Sequence, residues 1–261
     1  MKIRRATLLL SLIASAFISA GAMAQQTQPA KGPVKNIVLV HGAFVGGSGW
    51  RPVYDILTKD GYNVTLVQEP LTSFTEDVTA TKRILDRQDG PAILVGHSYG
   101  GAIITSAGND SHVAGLVYIA AFAPDAGESQ QSINAKFPPP PAAAHFVPSY
   151  RKGFIWLDPP AFPADFIQDV NITEARALAV AQKPTAPGCF SAPSGSPAWK
   201  HVRSWYLISK NDRAVNPDAE RFMAKRIGAT TRELASSHAS LVSHPQDVLE
   251  VILAAFEGMQ R

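Results

Sequence analysis

The chain has 261 residues, 46% of them hydrophobic and 17% charged, enough for one sizeable core. Its single cysteine, Cys189, excludes an internal disulfide and reads as a free or buried thiol. Lysine and arginine outnumber aspartate and glutamate by only 24 to 21, which gives no case for a nucleic-acid partner.

The first residues do not belong to that core. Lys2, Arg4 and Arg5 form a basic start, Ala6 to Ala20 an apolar stretch, and Ala22-Met23-Ala24 a small-x-small cleavage site before Gln25. The apolar stretch is short for a membrane span, and no cysteine stands near the site to take a lipid. Residues 1–24 are therefore expected to be a cleaved signal peptide, and the mature protein to be exported, periplasmic or secreted, without a stable membrane anchor. Three of the 24 basic residues and no acidic one fall in this segment, which leaves 21 of each sign in the rest. Residues 25–34 read as a flexible leader.

Asn36-Ile37-Val38-Leu39-Val40 is a short buried-strand pattern that runs into His41-Gly42-Ala43-Phe44 and Gly46-Gly47. A helix is expected near 50–59, a strand at 63–67 and a helix near 73–88. The apolar strand at 91–96 then ends in Gly96-His97-Ser98-Tyr99-Gly100, followed by the small and apolar residues of a helix near 98–108. Gly-x-Ser-x-Gly between a strand and a helix is a nucleophile elbow, a turn tight enough to strain Ser98 and to require small neighbours at Gly96 and Gly100. The helix aims its free N–H groups and positive dipole end at the place where an oxyanion would form. A strand delivering a His-Gly loop supplies a second donor, so the backbone N–H groups of Ala43 and Tyr99 are assigned to an oxyanion hole. His41 reads as a packing histidine that shapes this loop.

A strand at 115–121 leads to Asp125. Between Pro124 and Trp199 the texture changes to proline clusters interleaved with Phe154, Trp156, Phe162 and Phe166. Prolines make a poor sheet, so this segment is expected to be a stiff, irregular lid with one helical stretch near Ile172–Gln182. Most of its aromatics should pack between lid and core, and some should face the serine. Strands follow at 203–208 and 230–235, with helices near 217–227 and 245–258. Asn216-Pro217 caps and opens the first of these helices, whose apolar face carries Ala219, Phe222, Met223 and Ile227. Strands alternating with helices indicate a mostly parallel sheet covered on both faces.

A serine hydroxyl is a poor nucleophile until a base takes its proton, so a histidine is sought downstream. Of the seven present, His238 follows the last strand after Ser236-Ser237, whereas His244 directly precedes Pro245 and reads as a helix-start residue. The orienting acid should lie between serine and histidine in the chain. Asp212 stands just past a strand's carboxyl end, where catalysis gathers in open α/β sheets. Asp125 is its rival on the same ground, and Asp218 sits in the first turn of a helix, where it serves the dipole.

These motifs resemble the α/β-hydrolases that include plant methylesterases, hydroxynitrile lyases and small bacterial esterases. The matching residues are Val38 to Ala43 with Gly46-Gly47 and Trp50, Gly96 to Gly101, Pro197-Ala198-Trp199, Asp212, and Ser237-His238 to Ser243-His244-Pro245. The similarity runs from about residue 35 to the end. It implies a Ser98/His238/Asp212 triad, settling Asp212 over Asp125, and a small cap (127–198) between two halves of the core (35–126 and 199–261). The expected activity is serine-dependent hydrolysis of a small uncharged carboxylic ester through an acyl-enzyme, with no cofactor and no metal. Two alternatives are a lyase of the hydroxynitrile type and a ligand-binding protein with a residual hydrolase site. The resembling lyases carry threonine where this chain has Gly42, and lysine where it has Ala239. Ala239 leaves a departing cyanide without a cation, and Gly42 is expected to leave room beside the hole for ester and water.

Overall fold

The computed structural model describes residues 34–259. The expected signal peptide, and the leader up to residue 33, lie outside the described residues. The first strand, Asn36–Val40 (β1), is buried along its whole length, as an apolar run with no solvent face requires. A tight turn at Gly47–Trp50 hands the chain to Arg51–Lys59 (α1), Asn63–Leu66 (β2) and Phe74–Leu85 (α2). Ser98 alone separates Ala92–His97 (β3) from Tyr99–Ala107 (α3). Val113–Ile119 (β4) leads into an inserted segment made of Gln130–Asn134 (α4), Phe146–Pro148 (β5), Ile155–Leu157 (β6), Phe162–Asp165 (α5), Ile172–Val180 (α6) and Gly188–Ser191 (α7). The chain returns through Ser204–Ser209 (β7), Pro217–Arg226 (α8), Thr230–Leu234 (β8), Ser240–Ser243 (α9) and Pro245–Met259 (α10).

Six strands form one parallel sheet in the order β2-β1-β3-β4-β7-β8. Successive side chains on a strand point to opposite faces, and both faces here are apolar. Val38, Leu94, Leu116 and Tyr206 join one core cluster, to which α2, α3 and α8 add Leu85, Ile103 and Met223. Ile37, Ile93, Val117 and Leu207 join the other, roofed by Leu57 of α1 and Ile252 of α10. Burying one such side chain is worth about 1.5–3 kcal/mol. Because the strands run parallel, the loops after β1, β3, β7 and β8 all open at one edge of the sheet, and the site forms there.

Three features differ from the sequence expectation. The strand expected to 121 ends at Ile119, because Ala120 takes a left-handed backbone (φ 46°) while its N–H reaches Leu207 O at 2.9 Å. The run stays apolar because it is buried, not because it is strand. The insert is also more ordered than its prolines suggest: besides α6 it holds an antiparallel hairpin pairing Phe146 with Leu157 and Pro148 with Ile155. Pro148 is tolerated at the end of this two-stranded edge, where no ladder donor is demanded of it. On α8, Ala219, Met223 and Ile227 are buried, but Phe222 is 38% exposed and Glu220 is fully buried in its stead. Phe222 contacts Phe137 at the surface, with ring centroids 5.7 Å apart.

Candidate active site

Ser98 adopts φ 54° and ψ −123°, a backbone that L-residues avoid. The glycines around it answer to close approach rather than to flexibility. A Cβ on Gly96 would lie 2.7 Å from Gly100 O, and one on Gly100 would lie 2.7 Å from both Val40 O and His41 O. The sheet holds the strained residue from both sides: Ser98 N–H donates to Ile119 O at 3.2 Å, and Ser98 O accepts from Gly101 and Phe122 at 3.0 Å each.

His238 and Asp212 come from the loops after β8 and β7. His238 Nδ1 lies 2.5 Å from Asp212 Oδ2, with both side chains buried. The other carboxylate oxygen, Oδ1, accepts the N–H groups of Ala214 and Val215 at 2.7 and 2.8 Å, which fixes its orientation. A carboxylate only accepts, so Nδ1 carries the proton and Nε2 keeps its lone pair. Ser98, His238 and Ala43 line a single cavity of about 450 Å³. Ser98 and His238 meet there as wall residues rather than through a hydrogen bond, and contacts of this kind commonly tighten only with substrate bound.

Other sequence candidates separate cleanly. Asp125 pairs with Lys200 Nζ at 2.7 Å on the surface, and that bond holds its carboxyl below the usual range. Asp218 lies in the first turn of α8, paired with Arg221. His244 immediately precedes α10, and its carbonyl accepts the Val248 N–H at 3.2 Å. His41 is buried against the loop it was expected to shape: Nδ1 donates to Gly42 O at 2.8 Å, and Nε2 lies 2.6 Å from Glu69 Oε2. A peptide is planar, so fixing Gly42 O also fixes the Ala43 N–H on the opposite side of that plane. Neither the Ala43 nor the Tyr99 N–H donates to another protein group among the described residues. The Tyr99 ring turns away into the core, where its hydroxyl donates to Asp77 Oδ2 at 2.7 Å. Burial dominates at Asp77 and raises its carboxyl above the ordinary value. Cys189 is free and buried, and its thiol is pushed up to about 12 by burial, which makes it inert.

The expectation for Gly42 fails. A Cβ there would meet Ser98 Cβ at 2.8 Å and His97 Nδ1 at 3.2 Å. The position is tight packing between the loop and the elbow, not space for ester and water. Of the four insert aromatics singled out in the sequence, Phe166 alone reaches the cavity, joined there by Phe44, Phe146 and Phe190.

Two site residues escape sequence reasoning. His97 Nε2 donates to the His238 carbonyl at 2.9 Å, and the two rings lie 4.6 Å apart. Complete burial holds its pKa well below the ordinary value, so it stays neutral beside His238. Glu220 accepts the Ser209 N–H at 3.1 Å, and burial, reinforced by the charge of Asp212, drives its carboxyl well above the usual range. No cluster of three or more His, Cys, Asp or Glu side chains suited to a metal occurs among the described residues.

A family model described as the alpha/beta hydrolase family matches residues 37–251. A carbendazim hydrolyzing esterase of Nocardioides sp. (strain SG-4G) is 35% identical over 130 residues, covering 44% of this chain and 54% of that protein. This chain therefore aligns with only about half the length of that relative. Among solved structures, a pyrethroid hydrolase superposes with a TM-score of 0.74 at 22% identity, covering 87% of this chain and 100% of that one. A polyneuridine aldehyde esterase gives 0.72 at 19% identity, over 84% and 98%. At such identities the two structures attest the fold alone.

Proposed function

The chain belongs to the alpha/beta hydrolase family, and from that premise we propose that it is a serine hydrolase of small, uncharged carboxylic esters. The observation that carries the reading is the buried His238–Asp212 pair, 2.5 Å apart, whose histidine opens onto the same cavity as a serine on a strained elbow. His238 Nε2 takes the Ser98 proton as the hydroxyl attacks the ester carbonyl, and Asp212 steadies the imidazolium. The Ala43 and Tyr99 N–H groups receive the oxyanion, a contribution of about 3–4 kcal/mol per donor in comparable sites. The proton on His238 leaves with the alcohol. Water then attacks the acyl-enzyme with His238 again as base, releasing the acid. Among the described residues the cavity wall contains no Lys, Arg, Asp or Glu, which supports an uncharged substrate, and its aromatic rings favour apolar groups.

Ser98→Ala is expected to reduce hydrolysis of a short-chain aryl ester to the buffer blank with an unchanged melting temperature. A fluorophosphonate should label the wild type and not this variant. Mandelonitrile should release no cyanide beyond the blank. Cyanide release that depends on Ser98, or a wild type that neither turns over esters nor takes the label, would overturn the assignment.

A further inference from the structure

We propose that Thr185, from the inserted segment, is a positioning residue for the oxyanion hole: its hydroxyl clasps Phe44 and so fixes the backbone on which the Ala43 N–H sits. This rests on the serine-hydrolase reading of the site.

Phe44 holds φ 66°, a left-handed backbone that is costly for a bulky aromatic and persists only where neighbours over-determine it. Those neighbours come from the insert. Phe44 N–H donates to Thr185 Oγ1 at 3.1 Å, and Lys183 N–H donates to Phe44 O at 2.9 Å. The Phe44 ring lies against Phe146 and Phe190, with centroids 5.3 and 5.8 Å away. The clasp is itself anchored. Thr185 is fully buried, and its N–H and C=O pair with Ile155 at 2.9 and 3.0 Å, which ties its segment to the edge of the hairpin through one antiparallel bridge. Ala186 N–H then reaches Leu71 O at 2.9 Å, and Leu71 is also left-handed, with φ 57°.

Ala43 stands between two peptide planes. His41 pins the one that carries the Ala43 N–H, through Gly42 O. Thr185 pins the next, through the Phe44 N–H. With both planes fixed, neither backbone angle of Ala43 can turn, and its N–H holds one direction toward the cavity. The insert thus supports the backbone of the oxyanion hole as well as lining the cavity beside it. Removing the Thr185 hydroxyl frees the second plane and lets Phe44 relax from its strained angle, at the cost of alignment when the oxyanion forms.

The test compares Thr185→Val, which keeps the shape and loses the acceptor, with Thr185→Ser, which keeps the acceptor. Thr185→Val should lower kcat about tenfold with KM within about twofold, part of the 10²–10³ that losing a whole donor costs, and Thr185→Ser should stay within about threefold of wild type. A trifluoromethyl ketone reports the hole directly. Ser98 Oγ bonds its carbonyl carbon, the Ser98 proton passes to His238, and the former carbonyl oxygen takes the negative charge. Its affinity should fall in Thr185→Val by the same factor as kcat/KM, while that of an uncharged ground-state competitor should not move. Should Thr185→Val fail to fold, Thr185→Cys, whose thiol is a poor acceptor, should show the same kcat loss. Unchanged kcat in the valine or cysteine variant, or an equal loss in the serine variant, overturns the proposal. A wild type that neither hydrolyses esters nor is labelled at Ser98 removes the hydrolase reading, and this one with it. An active wild type with insensitive Thr185 variants removes this one alone.

Discussion

The elbow and the insert face each other across one cavity and are held in place by different means. At the elbow, Ser98 is fixed by the sheet: backbone bonds to Ile119 and Phe122 on the neighbouring strand's path, and glycines at 96 and 100 that admit carbonyl oxygens at contact distance. The insert is fixed by scattered single bonds to distant segments, some from backbone, as Lys183 N–H to Phe44 O, and others from side chains. Thr185 holds Phe44, 141 residues distant. Lys183 Nζ donates to Glu69 O, and the Gln182 side-chain amide brackets Leu157, its N–H donating to Leu157 O at 2.7 Å and its oxygen accepting the Leu157 N–H at 3.1 Å. The first region is a consequence of a parallel sheet, and its parts succeed or fail together. The second is a set of separate ties, and losing one should loosen the site by degrees.

The sharpest way to break this contrast is at Asp212. Asparagine there would present an amide N–H to His238 Nδ1, force the proton onto Nε2 and leave the imidazole unable to act as base. Asp212→Asn should therefore cut kcat about 10⁴-fold, with the fold intact. Asp125→Asn should change kcat by less than about twofold, since a surface ion pair such as Asp125–Lys200 contributes roughly 0–1 kcal/mol. Steady-state kinetics on an aryl ester decides between them, and a dead Asp125→Asn enzyme would reverse the assignment of the acid.

An intermediate effect is expected from the insert at Phe166. Its ring stands edge-on to His238 at 4.6 Å, stacks on Phe162 at 4.8 Å, and forms part of the cavity wall. Phe166→Ala should lower stability by about 3 kcal/mol, as large-to-small changes at buried aromatics do, and kcat by roughly tenfold, because His238 loses one wall. Denaturant unfolding and kcat measured on the same sample check both. A loss comparable to that of Asp212→Asn would show that the insert is as integral to the chemistry as the sheet.

The same contrast explains what the sequence could reveal. Ser98, Asp212 and His238 are legible because each follows the carboxyl end of a parallel strand; a buried run marks the strands before Ser98 and Asp212, whereas the one before His238, Thr230–Leu234, is a polar edge strand. Ala43 and Tyr99 are legible by position, since the residue after the elbow and the His-Gly loop must lie at its mouth. Gly42 was legible as a glycine but not as a contact, because what it touches, Ser98 Cβ, depends on how two loops from different strands meet. The left-handed Phe44, the hairpin around Pro148 and the clasp by Thr185 leave no local signal, being set by pairings across 141 residues or by a bridge from a third segment to the hairpin's edge. Glu220 is hidden for another reason. On α8 it takes a core-facing position that helical periodicity reserves for an apolar residue, and Phe222 takes the surface.

Glu220 carries the smallest expected effect on catalysis and tests whether the sheet side also leans on groups that periodicity does not disclose. Burial and the nearby Asp212 charge keep its carboxyl protonated well above the unfolded value of about 4.3. Between the unfolded and folded values, the native state holds a proton that the unfolded chain has released. Stability contributed at this position is therefore complete below pH 4 and falls as pH rises, by up to about 1.4 kcal/mol per pH unit, opposite to a salt-bridged carboxylate. Glu220→Gln keeps the neutral shape and an oxygen for the Ser209 N–H, and it cannot ionise. Its stability should match that of the wild type near pH 4 and exceed it as pH rises above that value, while kcat at neutral pH stays within about threefold. Unfolding free energies taken across that range give the answer. Parallel curves for the two proteins would mean that Glu220 ionises normally, and that Asp212 orients His238 without a protonated neighbour beneath it.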